Sequence, residues 1–224
     1  MRKMNEESWY SREQTAKEYE AYYETKYKRA DALEKRLLQK LIEQFDSIEK
    51  LLEVGCGTGH FTRWMESLHF DCYGLDVSRP MLDQAKKLWA SGKLLQGESS
   101  YLPFRSKSMD VVTYVTSFEY MPKINSVLSE VSRVASKGII FGLLNKWSLD
   151  SLGKTLQAKI GRNRYYEKAR FYSISDMRRI LTATLGKRHH IACWTTTVFP
   201  KILDGVESSL FPFGSFLGIA VKLD

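Results

Sequence analysis

Glycines and an acidic residue follow the first strongly apolar run of the chain. Residues 51–54 lead into Gly55-Cys56-Gly57-Thr58-Gly59, and a helical pattern follows from Phe61. Glycines at such a junction permit positive φ angles and let a ligand approach the backbone, while the first amides of the next helix supply donors. The spacing is GxGxG, whereas dinucleotide sites require GxGxxG, and Glu53 directly before the turn would repel a phosphate. The turn therefore predicts a site for a positively charged ligand, unless Glu53 only caps the turn.

A second acidic residue stands where a nucleoside ligand would need it. Asp76 ends the next predicted strand, about 20 residues beyond the glycine turn, the separation at which a carboxylate accepts the two ribose hydroxyls. Strand, glycine turn, helix and carboxylate together predict a nucleotide-type site at the ends of two neighbouring strands.

Short apolar runs alternate with helical segments through most of the chain, as in a parallel sheet covered on both faces. The predicted segments are 50–54, 61–68, 71–75, 81–89, 93–96, 111–115, 124–134 and 138–143, then a helix at 174–185 with Ser173 or Ser175 as N-cap. Residues 189–198 and 216–223 predict a final antiparallel pair at the sheet edge. Right-handed crossovers then predict an α/β fold with a doubly wound, mostly parallel sheet.

Two further segments are predicted to flank the site. Residues 1–45, here called the leader, predict an N-terminal helical cap with one helix or two in tandem over 11–45, ahead of a domain at 46–224. The leader is rich in tyrosine, and such rings could cover a neighbouring pocket. Residues 145–170 interrupt the alternation and predict a lid insertion over the site.

Composition narrows the classes of protein. The 224 residues are 43% hydrophobic with a net charge of +8. No run reaches the ~18 to 20 apolar residues of a membrane span, so we expect a soluble, cytoplasmic protein. Cys56, Cys72 and Cys193 show neither disulfide nor zinc spacing, and no metal is expected. The positive charge favours an acidic partner, so nucleic acid stays open as a partner but is not favoured. Nothing in the sequence indicates an oligomeric state.

Three motifs resemble those of a known family. Residues 52–59 resemble the first motif of class I S-adenosylmethionine (SAM) dependent methyltransferases, and residues 74–78 with Met81 and Leu82 resemble the second. Residues 97–104 and 108–112 resemble a pattern of the methyltransferase type 11 subgroup, which includes ubiquinone and menaquinone C-methyltransferases. This resemblance covers residues 50–143. It implies a seven-stranded, Rossmann-like sheet, SAM as methyl donor and S-adenosylhomocysteine (SAH) as product.

The resemblance also implies roles for particular residues. Gly55 and Gly57 would face the methionine moiety of SAM, with Cys56 acting through its backbone, and Glu53 would face the positive charge of the ligand. The other implied contacts are Asp76 with the ribose, Val77 and Met81 with the adenine, Glu98 and the Ser99 amide at the adenine amino group, Val115 and Thr116 under the methionine end, and Tyr19 closing over SAM. Glu98 is one methylene longer than the Asp that the family commonly has there.

A sulfonium donor is already activated, so methyl transfer needs alignment and exclusion of water more than acid–base groups. We expect in-line transfer to a small-molecule acceptor. The alternatives are an RNA or protein methyltransferase and a SAM-binding regulatory protein without catalysis. Glu119 is a candidate general base or else a surface carboxylate. The basic residues of the lid either steer an anionic acceptor or keep the lid soluble: Arg162, Arg164, Lys168 and Arg170. No chemistry is assigned to the four histidines.

Overall fold

The computed structural model describes residues 8–25, 27–159, 164–203 and 205–224. Its strands are β1 (Lys50–Val54), β2 (Asp71–Asp76), β3 (Lys93–Gln96), β4 (Met109–Val115), β5 (Ala135–Leu144), β6 (His189–Thr197) and β7 (Phe216–Leu223). Its helices are α1 (Glu13–Glu24), α2 (Lys28–Ile42), α3 (His60–Ser67), α4 (Arg79–Leu88), α5 (Ile124–Val134), α6 (Leu149–Lys159) and α7 (Ile174–Leu185). Short 3₁₀ turns lie at Trp9–Ser11, Phe118–Tyr120, Arg164–Tyr166 and Lys201–Leu203.

The strands form one sheet in the order β3-β2-β1-β4-β5-β7-β6. Strands β1 to β5 pair in parallel, whereas β7 lies antiparallel between β5 and β6. The chain winds outward from β1 to β3 and then returns to β4 on the other side of β1, which opens a crevice at the carboxyl ends of β1 and β4. The predicted doubly wound, mostly parallel sheet with an antiparallel pair at its edge is confirmed.

Helices cover both faces of the sheet with apolar side chains. On one face α5 and α7 bury residues such as Val127 and Leu181. On the other, α2 and α3 bury Leu37, Leu41 and Phe61. Burying each such side chain contributes about 1.5–3 kcal/mol, so the two layers hold the strand ends in fixed positions. Because α2 belongs to this core, only α1 and the 3₁₀ turn before it lie apart as a cap, and the predicted division at residue 45 stays a prediction.

Helix starts follow local sequence signals. Ser173 caps α7 in a capping box: its hydroxyl accepts the Asp176 N–H, and the Asp176 carboxylate accepts the Ser173 N–H. Ser173 is thus the N-cap of the two residues predicted. Ser78 caps α4 through its hydroxyl alone, which accepts the Met81 N–H, and Pro80 lies in the first turn, where a missing N–H costs nothing.

The leader folds as two helices, α1 and α2, so the tandem alternative for residues 11–45 is correct. The described part of the predicted lid forms α6 and the 3₁₀ turn at Arg164–Tyr166, while residues 160–163 lie outside the described residues. Among the described helices, none combines the length and the apolar character that crossing a membrane requires.

Candidate active site

The glycine turn after β1 needs glycine for both its backbone and its surroundings. Gly55, Gly57 and Gly59 have φ angles of 78°, 54° and 76°, in the region that favours glycine. A Cβ on Gly55 would lie 2.5 Å from the Ser117 Cβ, whereas a Cβ on Gly57 would meet nothing within 4 Å. Gly55 is therefore required for packing, and Gly57 leaves its backbone open towards the space above the strand ends.

Asp76, at the end of β2, supports this turn directly. One carboxylate oxygen accepts the Gly57 N–H at 2.8 Å and the other accepts the Ser78 N–H at 2.7 Å. Asp76 is buried, and burial raises its pKa despite these hydrogen bonds. Carboxylate oxygens hold further lone pairs, so Asp76 can still accept hydroxyl protons from a ligand.

Glu53 lies at the end of β1 and is only 2% exposed. Burial raises its pKa to about 8, against the opposing hydrogen bond that its carboxylate accepts from the Thr62 hydroxyl. A buried carboxyl group without a cationic partner is costly, which favours a ligand that brings positive charge. The alternative, that Glu53 only caps the turn, gains no support from its one side-chain bond to Thr62 in α3.

A first cavity of about 270 Å³ lies at the ends of β1, β2 and β4. All the residues predicted to bind the cofactor line it: Tyr19, Glu53, Gly55, Cys56, Gly57, Asp76, Val77, Met81, Glu98, Ser99, Val115 and Thr116. They come from the leader, the ends of three strands with the turns that follow them, the loop after β3 and helix α4. The structure therefore brings the predicted set together, while the contact of each residue with SAM stays a prediction.

Other residues of this lining were not predicted to bind the cofactor, although Tyr10 and Tyr23 are among the leader tyrosines expected to cover a neighbouring pocket. Trp9, Tyr10 and Tyr23 from the leader and His60 at the start of α3 also line the first cavity. The Tyr10 carbonyl accepts the Ser78 hydroxyl at 2.6 Å, which fixes the beginning of the leader against α4. The tyrosine-rich composition indicated a cover, but the rings that reach the cavity depend on how the leader crosses the strand ends.

His60 joins the leader to the glycine turn. Its ring stacks on Tyr23 with centroids 4.1 Å apart, and its Nε2 lies 2.7 Å from Asp31 Oδ1. Burial lowers the pKa of His60, but the bonds to Asp31 and Glu20 outweigh this effect and raise it. No metal-ligand spacing marked this histidine in the sequence, because its partners lie 29 and 40 residues upstream.

Glu20 in α1 forms the second part of this junction. Its carboxylate accepts the Thr58 hydroxyl at 2.6 Å and pairs with Arg63 at 3.0 Å. Burial would raise the pKa of Glu20, but hydrogen bonds from His60 and Thr58 and the charge of Arg63 lower it to about 2. The cap is thus held to the cofactor turn by charged hydrogen bonds.

A second cavity of about 220 Å³ adjoins the first beneath the leader. Its aromatic lining residues are Trp9, Tyr19, Tyr22, Tyr23, Tyr27, Tyr120, Tyr165 and Tyr166, and its charged ones are Glu18, Glu34, Asp150 and Lys154. The two cavities share wall residues from the leader and from the end of β4: Trp9, Tyr19, Tyr23, Thr116 and Tyr120. The positive φ of 48° at Thr116, unusual for a β-branched residue, turns the chain at this wall.

Cys56 and Glu119 differ in how the structure bears on them. Cys56 packs its side chain on Gly74, where a Cβ would lie 2.9 Å from the Cys56 Sγ, and burial raises the pKa of this thiol well above its usual value. Glu119 is fully buried, so its interpretation as a surface carboxylate is wrong. Its Oε1 accepts the Leu144 N–H at 2.6 Å, and burial raises its pKa to about 7. Glu119 lies outside the lining of both cavities, and its use as a base stays a prediction.

The basic lid residues do not approach the cavities as far as they are described. Lys168 and Arg170 lie outside both linings, while Arg162 and the Arg164 side chain fall outside the described residues. Within the described ranges, no group of three or more His, Cys, Asp or Glu side chains could hold a metal ion.

Comparison with known proteins identifies a domain in the middle of the chain. Residues 52–142 match the family model described as a methyltransferase domain. The malonyl-[acyl-carrier protein] O-methyltransferase of Yersinia pestis is 29% identical over 159 residues, 68% of this chain and 56% of that protein. The demethylmenaquinone methyltransferase of Thermotoga maritima is 31% identical over 105 residues, 46% of this chain and 45% of that protein. The chain thus spans about half the length of these relatives.

A solved structure from Thermotoga maritima, described as a SAM-dependent methyltransferase and possible histamine N-methyltransferase, is similar over 96% of this chain and 100% of its own. Its TM-score is 0.76 at 21% sequence identity, which establishes the likeness of fold. This likeness confirms the fold that the sequence motifs predicted, and the domain match confirms the predicted methyltransferase. Residues 52–142 thus carry a methyltransferase domain, as the resemblance of the sequence motifs implied.

Proposed function

We propose that this chain transfers the methyl group of SAM to a small-molecule acceptor by in-line displacement. The observation that carries the proposal is the pair of adjoining cavities with a common wall. One cavity collects the cofactor motifs, and the other is an aromatic-lined space large enough for a small molecule. Their meeting point is where a donor and an acceptor would face each other.

The lining of the first cavity fits SAM. Two buried carboxyl groups, Glu53 and Asp76, match an ammonium group and two ribose hydroxyls. We assign the open backbone at Gly55 to Gly57 to the methionine moiety. Val77 and Met81 are assigned to the faces of the adenine, with Glu98 and Ser99 at its edge and Tyr19 and Thr116 beside the methyl group. Val77 is 49% exposed, and an apolar side chain left open beside the cavity suits a stacking base.

When bound, SAM supplies a methyl group on a sulfonium, which an acceptor takes by direct in-line displacement. The task of the protein is then to align the acceptor and to keep out water. The wall shared by the cavities holds the acceptor against the donor side, and the rings of Trp9, Tyr19 and Tyr120 exclude water there. No general base is required for an acceptor that arrives with a free lone pair.

Calorimetric titration of SAM, SAH and NADH into the purified chain tests the cofactor half of this proposal. Binding of both adenosyl ligands without NADH binding is expected. Release of SAH on incubation with small-molecule acceptors then tests turnover. Absence of adenosyl binding would refute the proposal, and tight SAM binding without turnover across a broad panel would favour a regulatory protein instead.

A second candidate function follows from the relatives. Several are named as O-methyltransferases of malonyl groups on acyl-carrier protein, at 27–29% identity. The net charge of +8 would favour an acidic carrier protein as partner. Malonyl-carrier protein therefore belongs in the acceptor panel, and RNA binding that weakens steeply with salt would favour the nucleic-acid alternative.

A further inference from the structure

The second cavity is acidic although the chain as a whole is basic. Its described lining carries the carboxyl groups of Glu18, Glu34 and Asp150 against the single ammonium group of Lys154. The chain has a net charge of +8, so general attraction would bring anions to its surface. A local excess of carboxylates inside a cleft reverses that preference and selects for a cation.

Glu34 is the carboxyl group of this lining for which the described residues supply no hydrogen-bond or ion-pair partner, and the buried Trp9 indole N–H beside the same cavity also lacks one. It lies in α2 beside the core residues Leu37 and Leu38 and is 8% exposed. Within the described part of the chain, no hydrogen-bond donor or cation reaches its carboxyl group in a direct contact. Burial, with the charge of Asp31 added, raises the pKa of Glu34 to about 8. A buried carboxyl group that opens into a cavity without a partner is costly, and a bound cation would remove that cost.

Lys154 is not available to fill this role. Its Nζ pairs with Asp150 at 2.6 Å and lies 5.1 Å from the centre of the Tyr166 ring. The ammonium group therefore forms its direct ion pair with Asp150, and its more distant charge, together with those of His60 and Lys35, only partly offsets the rise in the pKa of Glu34. For the same reason Lys154 offers no free charge to an acceptor that carries a carboxylate.

Aromatic rings complete the lining. Trp9, Tyr19, Tyr23 and Tyr120 form the wall shared with the first cavity, and further tyrosines come from the leader and the lid. The faces of Trp and Tyr rings attract ammonium groups, most strongly where water is excluded. Rings and an acidic group in one enclosed space are the chemistry that recognises an amine and its methylated product.

We propose that the methyl acceptor is an amine, bound as a cation in the second cavity by Glu34 and the surrounding rings. This inference rests on the proposed function, since it names the acceptor class for the same site. As the amine binds in the form R–NH3+, its charge displaces the proton of the Glu34 carboxyl group to solvent, and the amine then gives one of its own protons to the resulting carboxylate. Its nitrogen lone pair then attacks the methyl carbon: the N–C bond forms, the S–C bond breaks and its electron pair stays on sulfur. The products are an N-methylammonium ion and SAH.

Matched ligands test this preference by calorimetry, with and without SAH. The probes are tyramine, phenethylamine, and tetramethylammonium as cations, with tyrosol and 4-hydroxyphenylacetate as the neutral and anionic counterparts of tyramine. Cations are expected to bind at least about tenfold more tightly than their counterparts, the difference that one charged hydrogen bond provides. Cation binding that is absent or no tighter than that of tyrosol would overturn the proposal.

Glu34→Gln is the decisive variant, and Glu43→Gln is its control because Glu43 is an exposed carboxylate near the end of the same helix segment. Glu34→Gln is expected to weaken cation binding about tenfold or more and to leave SAH affinity unchanged. If Glu34→Gln binds cations as the wild type does and melts at a higher temperature, Glu34 only destabilises the fold through its burial and does not bind the acceptor. Neither change is expected in Glu43→Gln.

The same measurements separate this inference from the proposed function. Loss of SAH binding in the wild type would refute the function itself. Normal SAH binding combined with methylation of malonyl-carrier protein, undiminished in Glu34→Gln, would leave the methyltransferase assignment standing and refute the amine acceptor. N-methylation of a cationic probe, reduced in Glu34→Gln and retained in Glu43→Gln, would support both.

Discussion

Replacement of Asp76 by alanine tests the cofactor site most directly. The side chain is 8% exposed and each oxygen already holds one backbone N–H. In the proposed complex it also accepts both ribose hydroxyls. A hydrogen bond to a charged group is worth about 1.5–3 kcal/mol. In the alanine variant, water in the emptied space can accept the ribose hydroxyls and so restores part of the binding free energy of the two lost hydrogen bonds. We therefore expect Asp76→Ala to weaken SAM binding by about 2 kcal/mol or more, roughly 30-fold in Kd.

The assay is a calorimetric SAM titration at a temperature well below the melting transition. Asp76→Ala also removes the acceptor for the Gly57 and Ser78 amides, so its fold must be verified by circular dichroism and thermal melting. Asp83→Ala is the matched control, because Asp83 lies on the exposed side of α4, where it pairs with Arg79 at 2.8 Å. A folded Asp76→Ala protein that binds SAM within about threefold of the wild type would refute the ribose assignment.

Three further predictions follow from the site and its supports. Gly55→Ala is expected to lower the melting temperature and abolish SAM binding because the new Cβ has no room. Gly57→Ala adds only the strain of a left-handed backbone, about 1–2 kcal/mol, so its melting temperature should stay above that of Gly55→Ala. Equal melting temperatures of the two variants would contradict this prediction. The contribution of His60 to the free energy of unfolding should be fully present below pH 6.5 and should fall as the pH rises through its raised pKa. The contribution of Glu20 should be fully present above pH 4.5 and should fall towards pH 2. Denaturant titrations of the wild type, His60→Asn and Glu20→Gln across this pH range measure both contributions, and differences that do not change with pH would contradict them. Ser173→Ala should destabilise the protein by about 1 kcal/mol without changing SAM affinity, and an unchanged denaturation midpoint would argue against the capping box.

Elements with strong local patterns could be predicted to the residue. Strand β3, helices α5 and α7, and strand β7 begin and end where the sequence indicated, because apolar spacing and flanking polar residues mark them locally. Strand β5 begins three residues before the predicted start at 138. Its first residue, Ala135, pairs with Met109 of β4, and such a partner is invisible to a local pattern.

The candidate site divides in the same way. The glycine turn and Asp76 are contiguous with their strands, so their positions follow from the order of strand, turn and helix. His60 and Glu34 gave no signal of their own. Each looked like an ordinary polar position of a helix, and each acquires its importance from residues that are distant in the chain. Proximity across the leader is a tertiary property that one sequence does not display.

The two cavities are lined largely by different segments of the sequence, so similarity in one segment says little about the ligand of the other cavity. Of the described residues that line the second cavity, only Thr116 and Tyr120 fall within the segment 52–142 that the family shares. The others belong to the leader, the end of β5, the lid and the connection between β6 and β7. If the second cavity holds the acceptor, as proposed, mutations outside the shared segment can exchange one acceptor for another while the cofactor motifs stay intact. Two such chains would be similar in sequence over the shared segment and would still methylate unrelated compounds.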